Sequence, residues 1–260
     1  MSRTIVLMYH AIYANAAERQ EIDAEDRPYA VSLDDFRAQL DLLPRQGRVV
    51  PALAATHAAA GETSVMLTFD DGHASNFRYA YPELRQRGWS GTFFVTSGFI
   101  GRRRGFCSWE QLHAMAHDGM TIGGHGRTHR FLDGLSAPEL AQELELSRDE
   151  IGGHIGLPVD SMSFPGGRYN LRVARACSAA GYRHLFSSRA GSIDPAYSHP
   201  TQPLPRLAIR TTTTPQQLAA LLSPGSPELQ RAARMDRIKQ LARTVLGSRC
   251  YHLLYRRLAS

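Results

Sequence analysis

Six short apolar runs of β type, separated by helical stretches, constrain this chain more than any other feature. The runs are Ile5 to Met8, Val65 to Phe69, Gly91 to Val95, Met120 to Gly123, Ser161 to Phe164 and His184 to Ser187. Between them Leu33 to Leu43, Tyr79 to Arg87, Trp109 to His117, Ala137 to Ile151 and Leu171 to Ala180 read as helices, several with serine caps and closing glycines such as Gly47, Gly88, Gly119 and Gly181. Strand and helix in alternation predict an α/β architecture with parallel strands. The Thr211 to Thr214 run leads into a further helix at Pro215, and Ser223-Pro224-Gly225-Ser226-Pro227 is the only convincing linker.

With 260 residues, 43% of them hydrophobic, the chain can bury one large core. Residues 1–222 are therefore expected to form one catalytic-sized domain and residues 223–260 a linker plus a basic amphipathic helical tail. Cys107, Cys177 and Cys250 are widely spaced and include no CxxC pair, so neither a disulfide framework nor a thiolate zinc site is signalled. The apolar stretch Ile5 to Met8 is too short for a signal-peptide core or a membrane span and reads as a first buried strand.

The formal charge of +6 is carried by the tail. From Ser226 onward eight Lys and Arg residues stand against Glu228 and Asp236, which leaves the preceding 225 residues neutral. That balance argues against a nucleic-acid-binding surface on the main domain. In the tail Leu229, Ile238, Leu241, Val245, Leu246, Leu253, Leu254 and Leu258 are interleaved with the arginines. Two readings follow: a terminal helix docked on the domain with a solvated cationic face, or peripheral attachment to an anionic leaflet.

Three constellations carry chemistry. The run Val65 to Phe69 ends in Asp70-Asp71-Gly72, two adjacent carboxylates at a strand end. Successive strand side chains point to opposite faces, so both acids serve one pocket only where the pleat breaks, and Gly72 is expected to supply the break. In GGHGRTHRFL, His125 and His129 stand four apart. On a helix or in a folded-back loop, that spacing lets two imidazoles converge on one ion, and with a carboxylate they make a facial set with open positions. The third is Phe164-Pro165-Gly166-Gly167-Arg168-Tyr169-Asn170, a Gly-rich turn able to present backbone N–H groups to an oxyanion. Each has a plainer explanation alone: a turn, a chance histidine pair among 11, or a β-to-α connection.

Taken in order, these segments resemble the NodB-homology polysaccharide deacetylases, carbohydrate esterase family 4, over approximately residues 4 to 210. The match includes Leu7-Met8-Tyr9-His10, Thr68-Phe69-Asp70-Asp71-Gly72, Gly91-Thr92-Phe93-Phe94-Val95, Trp109 with the following helix, and His125-Gly126-Arg127-Thr128-His129. The resemblance implies a distorted (β/α) barrel of fewer than eight full units with its site at the carboxyl ends of the strands. It implies Asp70 as catalytic base, Asp71, His125 and His129 as metal ligands, and the Gly166 N–H near the oxyanion. The implied cofactor is a divalent metal, zinc foremost, with cobalt or nickel used by some members. Where many members carry an arginine in an Arg-x-Pro-type motif this chain has Ser163, and Arg206 is the candidate to tune Asp70 instead. The family's Asp-x-x-Asp-Trp segment and its later leucine-histidine motif, source of the general acid, are not recognisable after Gly181.

His10, His184 and His199 are the candidates for that proton donor. His10 ends the first strand and would sit on the catalytic rim, whereas His184 reads as structural. His73 is expected to point away from the carboxylates, and Trp109 to pack in the core. His10, Arg168, Tyr169 and Arg206 form the expected substrate-binding set. The expected activity is metal-dependent removal of N-acetyl or other N-acyl groups from an amino-sugar glycan. A deformylase or cyclic-amide hydrolase, and an inactive glycan-binding member, are the alternatives. Lacking a recognisable secretion signal, the chain is expected in the cytoplasm, at most peripheral to the membrane's inner face. The expected substrate is then an oligosaccharide, polysaccharide or lipid-linked precursor of exopolysaccharide assembly.

Overall fold

The computed structural model describes residues 2–51, 62–194 and 202–238. All of its main sheet is parallel, with strands β1 (Arg3–Tyr9), β2 (Thr63–Phe69), β3 (Thr92–Val95), β4 (Thr121–Gly124), β5 (Ser161–Ser163), β6 (His184–Phe186) and β7 (Leu207–Ala208) in the spatial order β7-β1-β2-β3-β4-β5-β6. Arg48–Val49 adds a short strand on β2. The six expected runs are all strands; β7 and the short Arg48–Val49 strand are the additions to this sheet. β7 pairs with β1 through Leu7↔Leu207 and Met8↔Ala208, and just before it Leu204 bridges Phe186 of β6. The segment 204–208 thus links the two sheet edges and closes a distorted barrel of seven principal strands.

Strand alternation sorts the side chains into two layers. Ile5, Leu7, Tyr9, Val65, Leu67 and Phe69 point outward into the large core shared with the helices. Val6, Met66, Phe94, Phe186 and Ile193 fill the interior. The outer layer is formed by Leu33–Gln46, Trp109–His117, Ala137–Ile155 and Leu171–Ala179, whose N-terminal residues are capped by Ser32, Ser108, Ser136 and Asn170. Capping boxes at Ser108 and Ser136 satisfy first-turn N–H groups that packing alone would leave unpaired.

β4 is thin because the interior next to it is occupied by an aromatic ring. A Cβ on Gly123 would lie 2.6 Å from Phe94 Cδ1 and 2.6 Å from Ser161 Oγ. Phe94 is itself wedged against Phe186 at 5.0 Å, so it has nowhere to move. Gly123→Ala is expected to destabilise the fold by about 1–3 kcal/mol through overpacking, read as a lowered urea midpoint with unchanged m-value.

After Pro215–Leu222 the chain turns and a further helix occupies 227–238. Leu229 is buried, and Asp236 Oδ2 accepts from the Ala190 N–H at 2.8 Å, so this part of the tail lies docked on the barrel. The arginines and leucines beyond residue 238 lie outside the described residues. Among the described residues no helix is long and apolar enough to cross a membrane.

Candidate active site

β2 delivers two carboxylates to the barrel mouth. Asp70 continues the inward phase of Met66 and Thr68 and is buried. Simple alternation would turn Asp71 outward, but its backbone is left-handed at φ 74°, followed by Gly72 at φ 85°. The break expected at Gly72 therefore begins one residue earlier, on an aspartate, a residue that tolerates this region better than most. Gly72 is required for space as well: a Cβ there would meet Ile100 Cδ1 at 2.9 Å and Val95 Cγ1 at 3.0 Å.

Asp71 faces the two histidines. Its Oδ1 lies 3.3 Å from His125 Nε2 and 3.2 Å from His129 Nε2, and it has no hydrogen-bond partner although buried. The His125 Nδ1 stands 2.8 Å from the Ser163 carbonyl. A carbonyl only accepts, so Nδ1 carries the hydrogen and Nε2 keeps its lone pair for an ion. The stretch between the histidines is a loop, with His129 at φ 60°. Buried Glu143 ties it down: Oε2 accepts from the Arg127 and Thr128 N–H groups at 2.8 and 2.9 Å, and Oε1 from the Thr128 hydroxyl at 2.5 Å. Nothing in the sequence marks Glu143, which lies mid-helix.

These three residues fit a divalent cation. Two donors each about 2.1 Å from one ion stand roughly 3.0–3.4 Å apart, the range found here. Burial opposes ionisation of Asp71, but the imidazoles of His125, His129 and His73 hold its carboxyl well below the usual carboxylate range. His129, also disfavoured by burial, is raised above the usual imidazole value by the same carboxylate. The pocket is arranged around positive charge.

Asp70 is paired on its other side. Arg206 Nη1 donates to Oδ1 and Nη2 to Oδ2, both at 2.7 Å. Nη2 also donates to Ser163 Oγ at 2.6 Å, and the Ser163 hydroxyl donates onward to Asp70 Oδ2 at 3.1 Å. Burial would raise the Asp70 carboxyl, yet Arg206 keeps it below the ordinary range. Arg206 thus occupies the place beside Asp70 that Ser163 leaves open. It is 0% exposed, its Nε donates to the Ser187 carbonyl and its guanidinium lies over Phe94 at 5.4 Å, so it cannot contact substrate as the sequence reading had it.

Other expected site residues are dispersed. Gly166 lies in an exposed turn directly after β5, at φ 60° and against the Phe131 ring. Arg168 grips Asp133 at 3.0–3.1 Å with its guanidinium over Phe131 at 4.5 Å, a supporting position rather than an open binding group. Tyr169 stacks on Phe164 at 4.9 Å beneath Arg189, and lines a cavity with the 227–238 helix in which none of the four motif residues takes part. Of the substrate-binding set only His10 stays at the mouth, its ring tilted against Tyr29 at 4.8 Å. Burial lowers its pKa although Asp71 and Asp70 pull the other way. Trp109 is half-buried and stacks on His154 at 4.2 Å.

His73 corrects a further expectation: it does not point away. Its Nε2 lies 3.6 Å from Asp71 Oδ2 and 3.6 Å from Asp26 Oδ2, because the left-handed turn at Asp71 and Gly72 folds the next side chain back. Asp26 comes from the loop ahead of Arg27–Tyr29, and burial, followed by the Asp71 charge, pushes its carboxyl up to about 6. His184 begins β6, at the end of the sheet opposite the carboxylates, which removes it as proton donor. His199 lies outside the described residues.

Known proteins resemble this chain in sequence and in fold. A family described as polysaccharide deacetylase matches residues 57–185. The putative polysaccharide deacetylase YxkH of Bacillus subtilis is 26% identical over 193 residues, covering 72% of this chain. The matched part spans 65% of that relative's length. Among solved structures, Streptococcus pyogenes deacetylase PplD, in complex with acetate, superposes with a TM-score of 0.72 at 23% identity, over 85% of this chain and 99% of that one. IcaB from Ammonifex degensii gives 0.67 at 26% identity, over 85% and 97%.

Proposed function

This chain belongs to the polysaccharide deacetylase family, and on that premise we propose that it hydrolyses the N-acetyl group of an amino-sugar glycan with a divalent cation, zinc foremost, held by Asp71, His125 and His129. One observation carries the reading: the unpartnered Asp71 Oδ1 faces the Nε2 atoms of both His125 and His129 while the neighbouring Asp70 is kept ionised by Arg206. A bound cation there would polarise the acyl carbonyl and acidify water.

The chain's own groups supply the proton chemistry. Asp70 Oδ2 already accepts from Arg206 and Ser163, whereas Oδ1 accepts from Arg206 alone and keeps a lone pair. Oδ1 is therefore the atom that takes the proton of the attacking water. The pairing that keeps Asp70 ionised also makes its protonated form a ready donor, so the same carboxyl passes the proton to the departing nitrogen. His10 is a poor donor, since burial favours its neutral form. The Gly166 N–H, on the rim after β5, supports the oxyanion. Exposed Phe131 beside it offers an apolar face to a sugar ring.

Substrates suited to this site are N-acylated oligosaccharides, polysaccharides and lipid-linked precursors; the cationic residues after Ser226 favour the last. The test is to measure bound metal and acetate release from N-acetylglucosamine oligomers and a lipid-linked N-acetylated glycan, with and without chelator. Acetate release that stops on chelation and returns with zinc is expected. Metal-replete protein inactive on every amide would eliminate the reading.

A further inference from the structure

We propose that the chain holds a second divalent-cation site on Asp26, His73 and Asp71 Oδ2, with the Asp71 carboxylate bridging it to the first. The proposal rests on Asp71 being a ligand of the first cation, and adds a site on its other oxygen.

The geometry is that of donors around a missing centre. Asp26, Asp71 and His73 bring one ligand atom each within 4.8 Å of one another. His73 is 5% exposed, and its Nε2 is buried with no hydrogen-bond partner. At 3.6 Å from each carboxylate oxygen it is too far for a hydrogen bond, but only slightly beyond the roughly 3.4 Å between two donors on one tetrahedral ion. The ring is fixed from behind by Phe106, stacked at 4.9 Å. A buried, aimed and unsatisfied nitrogen costs free energy that an ion would recover. Charge points the same way: among the described residues, Asp26 and Asp71 form ion pairs only with histidines, and no Lys or Arg neutralises either.

The two oxygens of Asp71 divide the work. Oδ1 faces His125 and His129, and Oδ2 faces His73. A carboxylate bridging two ions in this manner is the arrangement of two-metal hydrolytic centres, whose ions stand about 3.5–4 Å apart. Two carboxylates and one imidazole suit a first-row divalent ion of borderline hardness, manganese through zinc. An entry path exists: a cleft of about 340 Å³ opens onto His73, with Glu18, Glu21 and Asp23 on its wall and Arg78 and Arg104 beside them. Sharing Asp71 and using the partly exposed Asp26 make this the weaker of the two sites.

Apo-protein titrated with Co²⁺, followed by visible d–d absorbance and by metal analysis after gel filtration, tests the proposal. Two equivalents are expected in the wild-type chain. Asp26→Asn and His73→Gln are each expected to bind one, and His129→Gln to weaken the tight equivalent while keeping the other. In wild-type protein loaded with Mn²⁺, the paired ions are expected to give a spin-coupled resonance that single occupancy lacks. One equivalent in the wild type overturns the second site and leaves the first intact; none overturns both. A second equivalent that survives in Asp26→Asn and His73→Gln also overturns it, by locating the ion elsewhere, as on the stacked His113–His117 pair. The wild-type stoichiometry decides the matter even if a variant fails to fold.

Discussion

Arg206→Met is expected to destabilise the protein by about 3–5 kcal/mol, because it strips the paired guanidinium from a buried carboxylate. For a chain of this size that is a fall in thermal midpoint of roughly 10 °C. The effect depends on pH with a definite sign. In the native chain Arg206 depresses the Asp70 pKa, so the pair stabilises above the unfolded carboxylate value of about 3.9 and that contribution is lost as pH falls through the folded value. Without Arg206, burial, the largest influence on this carboxyl, is opposed only by the weaker pull of His125 and His10, so its pKa rises and the variant's deficit shrinks toward acid pH, where Asp70 is neutral. The acid limb of kcat/KM is expected to move upward in the variant for the same reason. Thermal melts and rate profiles across pH 4 to 9 read both. The double variant Asp70→Asn/Arg206→Met is expected to recover part of the stability and none of the activity; additive losses would deny the pairing its role.

Asp70→Asn is the second large effect. The amide is nearly isosteric but has no lone pair basic enough to take a proton from water, so kcat is expected to fall by about 10²-fold or more while the metal bound at Asp71, His125 and His129 is retained. Asp71→Asn is expected to differ in kind, losing metal and activity together. Measuring metal content beside acetate release separates them. Full turnover in Asp70→Asn would end its assignment as base.

The sequence discloses this protein unevenly, for physical reasons. Strand runs and helix caps are local signals, so the barrel and its outer layer are legible. Asp70-Asp71 and His125 with His129 are legible because their spacing along the chain is their spacing in the site. Asp26 and Glu143 carry no such mark: one sits in a loop and the other mid-helix, and only tertiary folding brings them to the pocket. His73 is misread from strand geometry because the left-handed backbone at Asp71 and Gly72 reverses the direction that alternation predicts. Tyr169 and Arg168 follow the Gly-rich turn closely in sequence, yet the turn directs them to Phe164 and Asp133.

Barrel closure by residues 204–208 sets an order of events during synthesis. The Arg206–Asp70 contact spans 136 positions, and Arg206 is the pair's late-made half. All four motif residues have left the ribosome long before it does. Until that last strand docks against β1, Asp70 is a carboxyl in an incomplete pocket, pushed toward its neutral form wherever the pocket is already dry. With Asp70 as the proposed base, the nascent chain carries all four motif residues before it carries the cation that keeps that carboxyl ionised, so hydrolytic competence is expected only after residues 204–208 have docked.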